Sequence, residues 1–172
     1  MRIMWKVFDG IGLVSEWSGR AIRWLLVPLI LSVVYDVFMR YVLNAPTIWS
    51  FTLSYLLGAT MIVVGFAYVL RHRGHVSVDL IHSKFPTRVK LIIEVVFTAV
   101  LFFPLFFMLA KVFVQHAWWS YSVDEIATDS VWYPTIWPFK IALAYGFVLL
   151  FLQGIVNFAQ DVARLARGGR EP

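Results

Sequence analysis

The chain contains no cysteine among its 172 residues. Disulfide bonds, thiolate metal sites and cysteine nucleophiles are therefore excluded as a basis for its fold or chemistry. A glycine-rich phosphate loop is also missing, and no serine has a credible base and acid partner for a catalytic triad. These absences argue against an enzyme and against a bound cofactor.

Charged side chains are scarce too, at 15% of the residues, and few fall inside the long apolar stretches. Ion-coupled carriers need polar groups near the bilayer midplane, so a stand-alone small transporter is a poor candidate. The histidines are badly placed to hold one haem, because three lie in a single polar connector and His116 lies beyond the next apolar run. A membrane anchor subunit of a respiratory enzyme nevertheless stays open as an alternative.

Apolar sequence is what the chain has in abundance, at 60% hydrophobic residues and a mean hydropathy of +0.77. A soluble domain of this size could not cover that much apolar surface, so the solvent is lipid. Four runs are long enough to cross a bilayer, at about 22–39, 51–70, 91–113 and 141–160, and Pro104 is expected to kink the third. The sequence predicts an all-α integral membrane protein with a single domain over 1–172.

The first twenty residues differ from these runs because charged residues interrupt them. Apolar side chains recur at three- and four-residue steps, and the charged ones fall on other faces of a helix. This pattern predicts an N-terminal amphipathic helix over 1–20 that lies in the headgroup plane. The alternative is a first turn that simply extends the following span.

The basic residues are distributed unequally about the four spans. Twelve of the fifteen flank the ends that the 71–90 connector joins, and only Arg40, Lys111 and Lys140 lie near the other ends. Because Lys and Arg resist translocation, both termini and the 71–90 connector are expected in the cytoplasm, and the 115–139 connection outside. The net charge of +5 then reflects orientation and contact with membrane lipids, and not binding of nucleic acid.

Asp36 is the one acidic residue near membrane depth in the first span. An acid there is a functional candidate, but Arg40 lies four residues on, so a structural ion pair is the alternative. In the second span, Gly58 and Gly65 share a face and predict a close helix contact, either within the chain or with a partner. In the connector, Gly74 permits an unusual backbone angle, and His75 and Asp79 are spaced to form a clasp, unless both simply face headgroups.

Three stretches resemble, in order and spacing, the small membrane subunit of tripartite ATP-independent periplasmic (TRAP) transporters, the DctQ family. They are RYVLNAPTIW from Arg40 to Trp49, with Asn44 inside it, RHRGHVSVDL from Arg71, and WWSYSVDEIATDSVWYPTIWPFK from Trp118 to Lys140. The family usually has acidic residues after the Trp-Ser pair, whereas this chain has Phe51 and Thr52.

The resemblance implies a multi-pass protein of the bacterial inner membrane that works with two partners. A large DctM-like membrane subunit would carry the substrate and sodium sites and move like an elevator, while a periplasmic binding protein would deliver a solute, typically an organic acid. The small subunit would brace the large one and help to dock the binding protein. The candidate docking residues are the acids Asp124, Glu125 and Asp129 and the aromatics Trp118 and Trp119. In the alternatives, the aromatics form only an interface belt, and Glu125 pairs with Lys111 or Lys140.

Overall fold

The structure is a computed structural model that describes residues 2–72, 87–128 and 131–166. Over these ranges the regular secondary structure is helical, apart from one isolated antiparallel bridge between Ile126 and Thr135. The elements are α1 (Arg2–Ile22), a 3₁₀ turn (Arg23–Leu25), α2 (Leu26–Val42), α3 (Ser50–Arg71), α4 (Thr87–Phe97), a π-helical turn (Thr98–Phe102), α5 (Phe103–Ser122) and α6 (Trp137–Ala166).

Four continuous helical segments are long and apolar enough to cross a membrane, which confirms the predicted class. They are Val7–Val42, Ser50–Arg71, Leu91–Ser122 and Trp137–Ala166. The predicted outer connection, roughly from Gln115 to Phe139, is helical at both ends, because α5 continues to Ser122 and α6 begins at Trp137. Polar residues mark where a helix leaves lipid, but only a helix breaker marks where the helix ends.

Both irregular helical turns end within three residues of a following proline. A proline ring collides with the carbonyl four residues earlier and offers no N–H to it. For Pro28 that carbonyl belongs to Trp24, inside the 3₁₀ turn, and for Pro104 it belongs to Val100, inside the π-helical turn. The predicted distortion at Pro104 is therefore a local change of helical winding.

Helix α6 lies at the centre of the bundle, with α3 and α5 packed along it and α1 and α4 also in contact. Ala67 of α3 and Leu149 and Leu150 of α6 form the buried core. Gly146 makes the α3–α6 crossing close, because a Cβ there would stand 2.9 Å from Val63 Cγ1 and 3.0 Å from the Val63 carbonyl carbon. Most of the outward apolar side chains of α2 and α5 stay exposed, as expected where the solvent is lipid.

Helix α1 packs on the bundle through its small and polar face. Gly12 and Ser15 are buried, and Gly19 lies so close to Tyr68 that a side chain there would collide with the tyrosine ring. The apolar Val14 and Trp17 point outward instead. This arrangement leaves the apolar face free for lipid, and the location of α1 in the headgroup plane stays a prediction.

Candidate functional site

Asp36 closes the turn between α2 and α3. Its Oδ2 accepts a hydrogen bond from Arg40 Nη2 at 2.6 Å, and its Oδ1 accepts one from the Thr47 backbone N–H at 3.1 Å and another from the Thr47 hydroxyl. Thr47 was not among the residues that the sequence indicated, because it pairs with Asp36 only once the chain has turned. Both carboxylate oxygens accept hydrogen bonds from within the turn, so this geometry supports a structural role for Asp36.

Asn44 and Trp49 shape the same turn. Asn44 has φ 50°, a left-handed conformation that asparagine tolerates better than most residues, and it follows the end of α2. Trp49 precedes the first residue of α3 and stacks on Tyr35 of α2, with the ring centroids 5.7 Å apart. Beneath the turn, the buried hydroxyls of Ser32 and Ser50 lie 2.9 Å apart. The residues of this motif therefore hold α2 and α3 together at one end of the bundle.

The two glycines of α3 differ in what they face. A Cβ on Gly58 would meet only Leu29 of α2, at an ordinary contact distance of 3.8 Å. A Cβ on Gly65 would meet nothing within 4 Å. The close contact of α3 within the chain instead uses Gly146 of α6. The sequence did not indicate this residue, because the atoms that approach it belong to a different helix.

The loop between α5 and α6, which is predicted to lie outside, is held in shape by its own acids. Glu125 accepts a hydrogen bond from the Lys140 ammonium group, and this bond is the main reason that the pKa of Glu125 is lowered below its usual value of 4.5. Asp124, at φ 48°, accepts a hydrogen bond of 3.0 Å from the indole N–H of Trp137. Of the two lysines that the sequence offered to Glu125, the structure pairs it with Lys140.

Trp118 and Trp119 lie in the last turns of α5 with exposed side chains. Trp118 also borders an apolar cavity of about 470 Å³ between α5 and α6. No charged side chain lines that cavity, so it offers no site for an ion. The aromatic residues at this end present surface to lipid or to another protein.

A second charged cluster, which the sequence analysis did not single out, surrounds Glu16 of α1. Arg20 reaches Glu16 Oε1 at 2.8 Å, while Arg71 and His72 from the end of α3 lie 3.8 Å and 3.4 Å from Oε2. The four-residue spacing from Glu16 to Arg20 was visible in the sequence, but nothing in it revealed that α3 ends beside α1.

A buried polar chain accompanies this cluster. The hydroxyl of Ser15 lies 3.0 Å from Gln153 Oε1, the amide of Gln153 donates to Asn157 Oδ1 at 3.0 Å, and Asn157 donates to the Leu70 carbonyl oxygen at 2.8 Å. These bonds link α1, α3 and α6. The available signal was the pair of amide side chains at i and i+4 in an otherwise apolar helix, since such residues serve as interhelical contacts in lipid.

Four of the predicted site residues, Gly74, His75, Asp79 and Asp129, lie outside the residues that the structure describes. Within the described part of the chain, no group of three or more histidines and acids is arranged to hold a metal ion. The arrangement thus consists of hydrogen bonds and ion pairs that join helices at each end of a bundle.

No curated protein matches this chain closely enough to be counted as a relative. The sequence does match the family described as "Tripartite ATP-independent periplasmic transporters, DctQ component", over residues 29–164. The match begins within α2, covers α3, α4 and α5, and ends within the last turn of α6. The chain therefore belongs to the DctQ family, the small membrane component of TRAP transporters.

Proposed function

We propose that this chain is the scaffold subunit of a TRAP transporter of the bacterial inner membrane. It braces a large, elevator-type membrane subunit, which carries out sodium-coupled uptake of an organic acid or a related small solute. Family membership supports a role in transport with a large membrane subunit and a binding protein. Nothing in the described residues favours the alternative of a respiratory anchor.

The observation that carries this proposal is an uncovered face on α3. Residues 51, 55, 58, 62 and 65 alternate at steps of four and three, so they form one stripe along the helix. Phe51, Tyr55 and Ile62 are exposed, and the space beside Gly65 is open. The stripe carries no charge, and the open space beside Gly65 suits the close approach of another transmembrane helix.

The departure from the family at Phe51 and Thr52 falls at the outer end of this stripe. Phe51 exposes 83% of its surface, the largest fraction among the large apolar residues that are exposed in the described part of the chain. An acid at such a position would offer a partner a charge, whereas phenylalanine offers only apolar surface. The contact proposed here is therefore a hydrophobic one.

We further propose that the 115–139 side of the bundle faces the periplasm and receives the binding protein. Asp124, Trp118 and Trp119 are exposed there, while Glu125 is engaged with Lys140. Acids at a transient interface mainly speed the encounter and orient the partner. Asp124→Lys should raise the amount of binding protein needed for half-maximal uptake, more so at low salt, whereas normal uptake at limiting binding protein would remove Asp124 from the interface.

The scaffold role is tested by co-purifying the chain with a candidate large subunit of the transporter. Gly65→Leu fills a space that is empty within the chain, so it should leave the fold intact and lower recovery of the complex by about tenfold, as a loss of ~1.4 kcal/mol would. Gly10→Leu is the matched control, since Gly10 of α1 also has nothing within 4 Å of an added Cβ. Equal recovery of both variants would show that the α3 stripe faces lipid.

A further inference from the structure

Three basic side chains converge on the single carboxylate of Glu16. Arg20 belongs to the same helix, and Arg71 and His72 reach it from the end of α3. Glu16 itself is mostly covered, with 14% of its side chain exposed. Two guanidinium groups stay charged at any working pH, so the Glu16 carboxylate alone cannot balance both of them.

The guanidinium of Arg71 is held in place by the backbone of α1. It lies across Gly12, where an added Cβ would stand 3.3 Å from Arg71 Cζ. Its Nη1 is buried and forms no hydrogen bond within the described part of the chain, and Glu16 lies at ion-pair distance but beyond hydrogen-bond distance. The cluster thus brings several positive charges together, and the Arg71 guanidinium keeps one N–H group without a hydrogen-bond acceptor.

The exposed side of the cluster has the composition of a membrane interface. Trp17, Arg20 and Trp24 lie at steps of three and four, so they project on the same side of α1 and its 3₁₀ turn. Trp17 and Trp24 are 75% and 67% exposed, and the Arg20 side chain is 61% exposed. Tryptophan favours the depth at which headgroups meet acyl chains. A basic group between two such residues therefore stands at the level of lipid phosphates.

We propose that Arg20, with Arg71 behind it, forms a binding site for one anionic phospholipid headgroup. The phosphate lies against Arg20 and the open edge of the Glu16 cluster, and the acyl chains pass along Trp17 and Trp24. Basic pockets between transmembrane helices are suited to such headgroups, because the charge is balanced while the chains remain in lipid. The lipid joins α1 to the end of α3, which is a role separate from the contact with the large subunit.

The site is tested by native mass spectrometry on the full-length chain, in whatever complex it purifies. The sample is titrated with phosphatidylglycerol or with phosphatidylcholine of the same acyl chains. Wild type should bind phosphatidylglycerol more tightly than phosphatidylcholine. Arg20→Gln should lower the phosphatidylglycerol affinity about fivefold, as expected for one basic residue near an anionic surface, and should leave phosphatidylcholine binding unchanged.

Two variants keep the result interpretable. Arg20→Lys retains the charge and should keep most of the phosphatidylglycerol affinity. Arg20→Gln removes the charge and should lower that affinity. Arg40→Gln is the matched control, because Arg40 also pairs with an acid four residues earlier and is 56% exposed. Equal affinities for Arg20→Gln and Arg40→Gln would overturn the proposal. Displacement of the lipid by an equal concentration of inorganic phosphate would overturn it too, since the site would then select a free anion.

Discussion

The continuous helix from α1 into α2 carries the same pair of residues twice, once in α1 and once near the end of α2. The two pairs lie at opposite ends of the bundle, here called the inner and outer ends after the predicted orientation. Glu16 precedes Arg20 and Asp36 precedes Arg40, each by four residues, and the pairs close to 2.8 Å and 2.6 Å. Each acid is mostly covered and each arginine is mostly exposed, to nearly the same degree. By the sequence and by the local geometry, these two ion pairs are almost copies of one another.

Their surroundings are nevertheless different. Asp36 receives its other hydrogen bonds from Thr47, so the whole motif lies within one turn between α2 and α3. Glu16 is met instead by Arg71 and His72, which lie at the far end of α3. The outer pair completes a local turn, while the inner pair completes a contact between distant helices and carries surplus positive charge. Spacing predicts which side chains pair, but it does not predict what the pair is for.

The largest effect that separates the two ends is expected from Gly146→Leu. The added side chain collides with the Val63 backbone and pushes α3 away from α6. The Gln153 and Asn157 contacts of the inner end depend on that crossing, whereas the Asp36 turn does not. We expect a loss of about 3 kcal/mol in the free energy of unfolding in mixed micelles. Gly65→Leu, which has open space, is the control, and equal losses would refute the close crossing.

Asp36→Ala tests the outer end alone. The variant leaves the Thr47 N–H, the Thr47 hydroxyl and the Arg40 guanidinium without their common acceptor. The free energy of unfolding should fall, because the partly buried N–H and hydroxyl of Thr47 lose their acceptor. The measurement is the unfolding free energy of Asp36→Ala beside Asp36→Asn, which keeps an acceptor oxygen and should lose less. If both variants lost nothing, the turn would not depend on the carboxylate.

Gln153→Leu tests the inner end alone. It removes the amide that connects Ser15 of α1 with Asn157 of the same helix and, through it, with the Leu70 carbonyl. The bond with Ser15 joins two membrane helices, where such bonds are worth about 0.6 kcal/mol on average. With the further bond to Asn157 within α6, we expect a total loss of about 1 kcal/mol. Protease cleavage within α1 should also become faster, since the hydrogen bond between Ser15 and Gln153 attaches α1 to α6. Unchanged cleavage with unchanged stability would show that α1 is held by other contacts.

The sequence predicted the features that depend on composition or on short spacing. The four apolar runs predicted four spanning helices, which the structure confirms, and the three motifs predicted the DctQ family, which the match confirms. The four-residue spacing also indicated the pairing of Asp36 with Arg40. Each of these properties depends on residues that are close together in the sequence.

The features that the sequence did not predict depend on tertiary contacts. Thr47 meets Asp36 only after the turn has formed, and Glu16 meets Arg71 only after α1 has packed beside α3. The sequence also did not predict which face α1 buries. That face is small and polar, because in lipid these side chains gain most from contact with protein. The close α3–α6 crossing rests on Gly146, whose space is defined by a different helix.

A smaller effect is expected from pH at the outer loop. The pKa of Glu125 is lowered by its hydrogen bond with Lys140, so the carboxylate of the folded protein binds a proton less readily than that of the unfolded chain. The resulting stabilisation is complete above pH 4.5 and is lost as the pH falls through the lower pKa of the folded state. The stability difference between wild type and Glu125→Gln should therefore shrink on acidification from pH 6. A difference independent of pH would show that the pair does not stabilise the loop.

The smallest effects are expected from Arg20→Gln and Arg40→Gln. Exposed ion pairs contribute about 0.2–1 kcal/mol, and both arginines are more than half exposed. In detergent without added lipid, both variants should lose less than about 1 kcal/mol of unfolding free energy. Added phosphatidylglycerol should then stabilise Arg40→Gln more than Arg20→Gln. Equal stabilisation of the two variants would remove the functional difference between the ends.

The proposed function requires that the inner and outer ends lie on opposite sides of the membrane, with the Glu16 end in the cytoplasm. The chain has no cysteine, so single cysteines report without background. Gly10→Cys lies on α1 near the inner cluster, and Thr128→Cys lies in the outer loop, and both positions are exposed. An impermeant thiol reagent added to intact spheroplasts should label Thr128→Cys alone, and should label both after lysis. Labelling of Gly10→Cys in intact spheroplasts, with Thr128→Cys protected until lysis, would contradict the account.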